Sequence, residues 1–342
     1  MTLVFVSQTR NKNLWVKLYK PAIDKNSMLI HITRESSIPL MGVVFIGILD
    51  RGTNLLQVRA TSVCNINCTF CSVDGGPLSQ QHKVFYEVDC DYLLEEIQKV
   101  VTVKGNDIEI NIDSVGEPFC YPQLEKLVKE LRNMQEIKKI SIQTNGTIWK
   151  DIDVDVINLS FHALDPVLAK KLANSPCMDI EKVKEFGEKY QKKGILVRLC
   201  PVWIPGVNDA EMPKIIALAK EKKYLLGIQK YEVYAHSRKH EKIKAQSWYQ
   251  FYTQIKKWEK EFQIPLQVTA KELGIHKAPR IEEVFKKGER VRLEVKAQGW
   301  FPGQMLAVGR GRTVSVQNCQ KKEGDHVQVK MMEAKNNIYL AE

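Results

Sequence analysis

The sequence predicts an α/β fold: parallel strands curved into a full or partial (β/α)6 barrel, with a small β extension before it and a small β-barrel after it. Three observations carry this. Between residues 55 and 234, short apolar runs rich in β-branched residues alternate with stretches whose apolar positions fall at helical spacing. Residues 1–54 hold only short alternating runs. From about residue 280 onward, strand-like runs are separated by turns that contain glycine. The expected domains are a β extension at 1–54, the barrel at 55–270, and a linker with a β-barrel at 271–342.

Taken in order, the extension contributes LWVKLY, MLIHIT and GVVFIGIL, with turn signals at DKNS and DRGTN. The six barrel strands are LLQVRATSV (55–63), DIEINIDS (107–114), KKISIQTNG (138–146), VDVINLSFHA (154–163), ILVRLCPVWI (195–204) and LLGIQKYEVY (225–234). Between them, CDYLLEEIQKVV, PQLEKLVKELRNM, DIEKVKEFGEKYQKK and AEMPKIIALAKEKK space their apolar residues for helices. Such units in series imply a parallel sheet with helices outside, and ligands at the C-terminal ends of the strands. A charged helix near 245–262 and the segment TAKELGIHKAPR lead to the tail. There GERVRLEVKAQGW, GQMLAVGRGRTVSVQN, HVQVKMMEA and NNIYLAE supply about five short strands.

Composition narrows the class. With 44% hydrophobic and 27% charged residues, the chain has an ordinary globular balance, and its longest apolar run, PLMGVVFIGILD, is too short to span a bilayer. The N-terminus lacks the basic start, apolar middle and cleavage site of a secretory signal, which predicts a cytoplasmic protein with no membrane partner. Thiols stay reduced there, so the eight cysteines argue for metal or redox chemistry before disulfides. A net charge of +11 favours a polyanionic partner. Residues 214–260 concentrate that charge, with 12 Lys/Arg against 4 Asp/Glu, and they also carry Tyr234, His236, Trp248, Tyr249, Tyr252 and Trp258. Either a solvated helix face or a surface that grips RNA would look like this.

Cys64, Cys68 and Cys71 follow the first barrel strand with the spacing C-x3-C-x2-C. Thiolates suit zinc or iron–sulfur, but structural zinc closes its tetrahedron with a fourth Cys or His, and the next histidine, His82, lies eleven residues beyond Cys71. A [4Fe–4S] cube held by three cysteines leaves one iron open to a non-protein ligand. Buried, inert thiols and a zinc site are the alternatives.

These residues resemble the signature of the radical S-adenosylmethionine (radical SAM) superfamily, whose fold is a TIM-like partial (β/α)6 barrel. Phe70, just before the last cysteine, matches the aromatic position that leans on the adenine. SVGEPF resembles the GGEP motif of that superfamily, with Gly116, Glu117 and Pro118 retained and Val115 where the first glycine is common. The resemblance extends to QTNG, with Thr144 and Asn145, to LSFHA, with Ser160, and to RLCPVWIPGVND, with Arg198 and Ile204. It implies a [4Fe–4S] cluster on the three cysteines, S-adenosylmethionine on the open iron, and cleavage of its sulfonium bond to a 5′-deoxyadenosyl radical. Glu117 and nearby backbone groups would meet the methionyl ammonium, Thr144, Asn145 and Ser160 the ribose or methionyl part, and Arg198 the methionyl carboxylate. Plainer roles are a turn for Gly116 and Pro118, a backbone cap for Ser160 and a structural ion pair for Arg198. An electron donor such as ferredoxin or flavodoxin is implied as a partner.

The remaining cysteines, Cys90, Cys120, Cys177, Cys200 and Cys319, are scattered singly, which argues against a second cluster with a local motif. Cys120 and Cys177 are candidates for a catalytic thiol and His162 for an acid or base, each weighed against an ordinary buried role. Residues 286–342 resemble a TRAM domain, an OB-like β-barrel that binds RNA in RNA-modifying enzymes, with GRGR and the GDHV strand as its best part. The resemblance names Arg292, Lys296, Trp300, Arg310 and Arg312 as RNA contacts, although residues 280–342 hold only 12 Lys/Arg against 8 Asp/Glu. The combination suggests an archaeal enzyme that modifies a base in tRNA, with a carbon-centred change such as methylation. The rivals are a radical activase or small-molecule modifier, and a non-catalytic iron–sulfur protein that binds RNA.

Overall fold

The computed structural model describes residues 27–240 and 243–342. LWVKLY of the expected extension lies outside them. The first described strand, β1 (Met28–Ile32), does not join the main sheet. It pairs in parallel with β4 (Val84–Val88), a five-residue buried strand that follows β2 (Gly47–Asp50) and β3 (Leu55–Arg59). Too short to be read as a barrel strand, β4 escorts the chain as it leaves β3: Val88 N donates to Ala60 O and Ser62 N to Tyr86 O. Then come β5 (Ile108–Ile112), β6 (Ile137–Thr144), β7 (Val156–Leu159), β8 (Leu196–Leu199), β9 (Val202–Trp203), β10 (Leu225–Leu226) and β11 (Gln229–Lys230).

The main sheet has the order β10-β8-β7-β6-β5-β3-β2, with β2 antiparallel at one edge and the six expected strands parallel. The sheet is open, so the barrel is partial. Its last two strands are interrupted and resume as β9 and β11, which pair through Val202↔Gln229 and Trp203↔Lys230. That resumption carries the wall of the barrel past its usual rim.

Each helix follows from its sequence. In α1 (Cys90–Lys104), Asp89 caps the Tyr92 amide and Leu93, Ile97, Val100 and Val101 face the sheet. In α2 (Leu124–Asn133), buried Leu124, Leu127, Val128 and Leu131 repeat at i, i+3, i+4 and i+7. An eight-residue helix not foreseen in the sequence, α3 (Pro166–Ala173), starts with Pro at its first turn behind the cap Asp165. Beyond it, α4 (Ile180–Lys192) buries Val183, Phe186 and Tyr190, and α5 (Glu211–Lys222) buries Met212, Ile215, Ile216 and Ala219. The charged helix is α6 (Trp248–Phe262), fixed by a capping box in which Ser247 and Gln250 exchange hydrogen bonds.

The linker crosses the N-terminal ends of the strands, opposite the expected site. Asn54 Nδ2 donates to Gly274 O at 3.1 Å, and Asn54 Oδ1 accepts from the His276 amide at 2.9 Å. Lys104 Nζ, fully buried, reaches Asp50 at 2.8 Å and Pro279 O at 2.8 Å. The tail then closes a five-stranded barrel from β12 (Arg290–Gln298), β13 (Met305–Gly309), β14 (Arg312–Val316), β15 (His326–Glu333) and β16 (Leu340–Ala341), in the order β12-β13-β14-β16-β15. It has its own core, including Phe285, Leu293, Val295, Val314 and Tyr339. It docks on the segment before β2: Thr313 N donates to Met41 O, and Tyr339 N to Gly42 O.

Candidate active site

A cavity of about 340 Å³ opens at the C-terminal ends of the parallel strands. Cys64, Cys68, Cys71, Phe70, Gly116, Glu117, Pro118, Thr144, Asn145, Ser160 and His162 all line it. Residues scattered over nearly a hundred positions thus meet because each follows a parallel strand at the same end of the sheet.

The cysteines sit on a loop without regular structure, so its backbone must find partners elsewhere. Asn67 N and Thr69 N donate to the last carbonyls of α3, Ala173 O at 3.0 Å and Leu172 O at 2.8 Å. Gly76 adopts φ +100°, and a Cβ there would lie 2.0 Å from Ile66 O. Gly75 N donates to Cys71 Sγ at 3.2 Å, which ties the third thiol to the glycine turn. Burial pushes the Cys64 thiol well up and the Cys68 thiol up to about 12, so without a metal these two stay protonated and metal binding must release their protons. His82 does not turn toward them. Its Nε2 lies 2.5 Å from Val73 O and its Nδ1 3.2 Å from Trp300 O, so both ring nitrogens face carbonyls. Among the described residues, no three His, Cys, Asp or Glu side chains converge on a single-ion site. Three thiols bordering a wide cavity, with His82 turned away from them, suit a multi-iron cluster better than one zinc ion.

Glu117 joins the ends of β5 and β6. Its carboxyl accepts from Phe119 N (3.0 Å), Thr144 Oγ1 (2.8 Å) and Asn145 N (2.7 Å). Burial nevertheless pushes it up to about 7, since three donors only partly offset the loss of water. Gly116 is required for a steric reason, because a Cβ there would lie 2.3 Å from Val63 O and 2.5 Å from Ser62 O. Asn145 Nδ2 donates to Asn65 Oδ1 at 2.9 Å, and Gln143 Nε2 to Ser160 Oγ at 2.9 Å.

Several expected residues have other positions. His162 Nδ1 accepts from Val202 N at 3.0 Å, which leaves the ring proton on Nε2, and burial lowers its pKa to about 4. It is therefore held neutral and packed edge-on to Phe70 at the cavity wall, with Nδ1 already engaged and unable to serve as a base. Cys120 is buried in a small group with Val63 and Phe85, and Cys177 is exposed; neither lines the cavity, so neither is placed as a catalytic thiol. Ile204 is buried in the core with its amide bonded to Asn208 Oδ1, outside the lining. Arg198 lies deeper in the barrel, where Nη1 donates to Asn158 Oδ1 at 2.9 Å while its buried Nε has no partner among the described residues.

The tail residues also differ from expectation. Trp300 is only 5% exposed: it stacks on His82 at 4.0 Å and 8°, and packs on Phe45, so it is a docking side chain and not a platform for RNA bases. Arg310 pairs with Glu289 at 2.7 Å, Arg312 donates to Asn337 Oδ1 and Glu282 O, and Lys296 pairs with Glu294. Arg310 and Gly311, both at positive φ, form the two-residue turn between β13 and β14, which accounts for much of GRGR. Among the described residues Arg292 is exposed and unpaired. Sequence reasoning missed Arg238, which bonds to the cysteine loop from 163 to 170 positions away. It also missed Lys230, which lines the cavity with its Nζ 4.9 Å from the centre of the Trp248 ring.

Residues 58–219 match the family model described as Radical SAM superfamily. An uncharacterized protein of Methanocaldococcus jannaschii is 34% identical over 358 aligned positions, which cover 93% of this chain and 83% of that one. The chain belongs to the radical SAM superfamily. Its cofactors are a [4Fe–4S] cluster and S-adenosylmethionine, and the cavity's three open thiols fit them. A probable GTP 3',8-cyclase of Sulfurisphaera tokodaii is 35% identical over 145 residues, 38% of this chain and 42% of that protein, so the chain spans less than half the length of this cyclase. Among solved structures, Streptococcus suis SuiB bound to S-adenosylmethionine overlays with a TM-score of 0.47 at 15% identity, over 68% of this chain and 50% of that one. No helix of the described residues is long and apolar enough to cross a membrane.

Proposed function

We propose that this radical SAM enzyme modifies a base in structured RNA, specifically tRNA, by a carbon-centred change such as methylation. The observation that carries the reading is the rim of the cavity. Tyr234 borders it and is 60% exposed, and Lys230 leads from it to Trp248, which is 55% exposed. On α6, Trp248 lies nearly parallel to Tyr252 with ring centres 5.7 Å apart, and Tyr249 stands 81% exposed beside them. Large exposed aromatics among an excess of lysines are what a splayed RNA strand needs, rings for bases and cations for phosphates.

When bound, the cluster and S-adenosylmethionine supply a one-electron route to removing hydrogen from an unactivated carbon. The chain's own residues orient and exclude water: Phe70 and His162 close one side of the cavity, and the Glu117 network fixes its floor. In this reading the tail is a TRAM-like barrel that presents Arg292 to RNA, and an electron carrier of the ferredoxin or flavodoxin kind reduces the cluster.

A second reading, a small-molecule modifier, is favoured by the unpartnered Arg198 Nε inside the barrel, a ready cation for an anionic substrate, and by the relatives named as GTP 3',8-cyclases. Nucleoside mass spectrometry of tRNA from cells with and without the gene separates the two. The RNA reading expects one modified nucleoside to disappear; an unchanged nucleoside profile sends the activity to a small substrate.

A further inference from the structure

Beyond β11 the chain makes a tight turn, in which Ser237 N donates to Tyr234 O and Tyr234 N to Ser237 Oγ at 2.7 Å. The turn lies on the cysteine loop. Ser237 Oγ donates to Ser72 O at 2.8 Å, and Arg238 N to Cys71 O at 2.8 Å. The Arg238 guanidinium then spends all three nitrogens on the same loop: Nε on Asp74 Oδ1 (2.8 Å), Nη1 on Cys68 O (2.9 Å) and Nη2 on Gly75 O (2.9 Å). Its side chain is only 18% exposed and that of Asp74 6%. Asp74 holds the far end of the loop through the amides of Gln80 and Gln81. A planar fork of donors fits two carbonyls and a carboxylate at once, which no other side chain can do.

The C-terminal barrel supports the same loop from outside. His236, in the turn, packs on Phe301 with ring centres 4.2 Å apart. The neighbouring Trp300 stacks on His82, whose Nε2 meets Val73 O. Both contacts come from the loop between β12 and β13, and they reach the cysteine loop indirectly, one through the turn that holds His236 and the other through His82.

We propose that Arg238 is a positioning residue that locks the cysteine loop around the cluster and holds a positive charge beside it, with Phe301 of the C-terminal barrel as its buttress. The inference rests on membership of the superfamily and is independent of the RNA reading. Removing the fork frees carbonyls on both sides of the cysteines, so the loop opens more often. Removing the charge disfavours the more negative, reduced form of the cluster.

The test uses the full chain, reconstituted anaerobically with iron and sulfide, with Arg238→Met, Arg238→Lys and Phe301→Ala. Two readings are taken: the rate of iron release to a ferrous chelator, and the midpoint potential from a redox titration followed by electron paramagnetic resonance. Arg238→Met is expected to release iron about tenfold faster or more, the usual cost of losing an outer partner of a metal site, and to shift the potential to more negative values. Arg238→Lys keeps the charge but cannot bridge three acceptors, so it releases iron fast with a potential near that of the parent. If Arg238→Met fails to fold, as judged by circular dichroism, the Lys variant decides. Phe301→Ala is expected to speed release at unchanged potential. Parental release rates in both Arg238 variants overturn the proposal, and a parental rate in Phe301→Ala overturns the buttress.

Discussion

Glu87 is a buried carboxyl whose Oε2 has no partner among the described residues; the facing His31 lies 3.6 Å from Oε1. Burial pushes it up to about 8, and burial lowers His31, so both side chains favour their neutral forms. The folded state therefore keeps a proton that the unfolded chain releases near 4.5, and the stability this gives is complete below 4.5 and lost as pH rises through 8. Glu87→Gln is expected to remove that loss, worth roughly 2–4 kcal/mol at alkaline pH. Thermal unfolding at pH 5 and pH 8.5 checks it: the parent should lose more stability than the variant. Gly116 makes an opposite demand. With carbonyls 2.3 and 2.5 Å from any Cβ, Gly116→Ala must push the ends of β3 and β5 apart, at a cost of about 1–3 kcal/mol. A lowered melting temperature together with weakened S-adenosylmethionine binding in calorimetry is the expected outcome.

At the scale of elements, α6 has a structural face and an exposed aromatic face, which the proposed function assigns to RNA. Its buried face, Phe251, Ile255 and Trp258, holds it to the barrel, while Trp248, Tyr249 and Tyr252 stay outside. Stacking on an aromatic contributes about 1–3 kcal/mol per base, so Trp248→Ala with Tyr252→Ala is expected to weaken tRNA binding at least tenfold. Iron content should be unchanged; filter binding and iron analysis together check it. The cysteine loop, the glycine of SVGEPF and the six barrel strands were legible in the sequence because each depends on residues close together along the chain. What was not legible depends on long-range placement. Arg238 reads as one more basic residue until the turn at 234–238 folds onto the loop. Trp300 reads as an exposed aromatic in a glycine-rich turn until the tail barrel docks and His82 covers it. The brief strand β4 and the eight-residue α3 are too short for periodicity to declare them, yet both hold the cysteine loop or its approach.

In the whole molecule, the tail barrel is tied to the site through Trp300 and Phe301, and the linker seals the opposite end of the sheet through Asn54, Asp50 and Lys104. Trp300→Ala is accordingly expected to cost about 3–5 kcal/mol, read as a lower melting temperature, while tRNA affinity of the folded variant stays within twofold or so. The entire arrangement places three thiols around one cavity and turns the nearby His82 away from them. The direct test is the electron paramagnetic resonance spectrum of the reduced, reconstituted protein before and after addition of S-adenosylmethionine. A [4Fe–4S] signal that shifts on addition, as the open iron gains a ligand, is the predicted result. A spectrum that S-adenosylmethionine leaves unaltered, or protein that binds zinc in place of iron, would contradict the account.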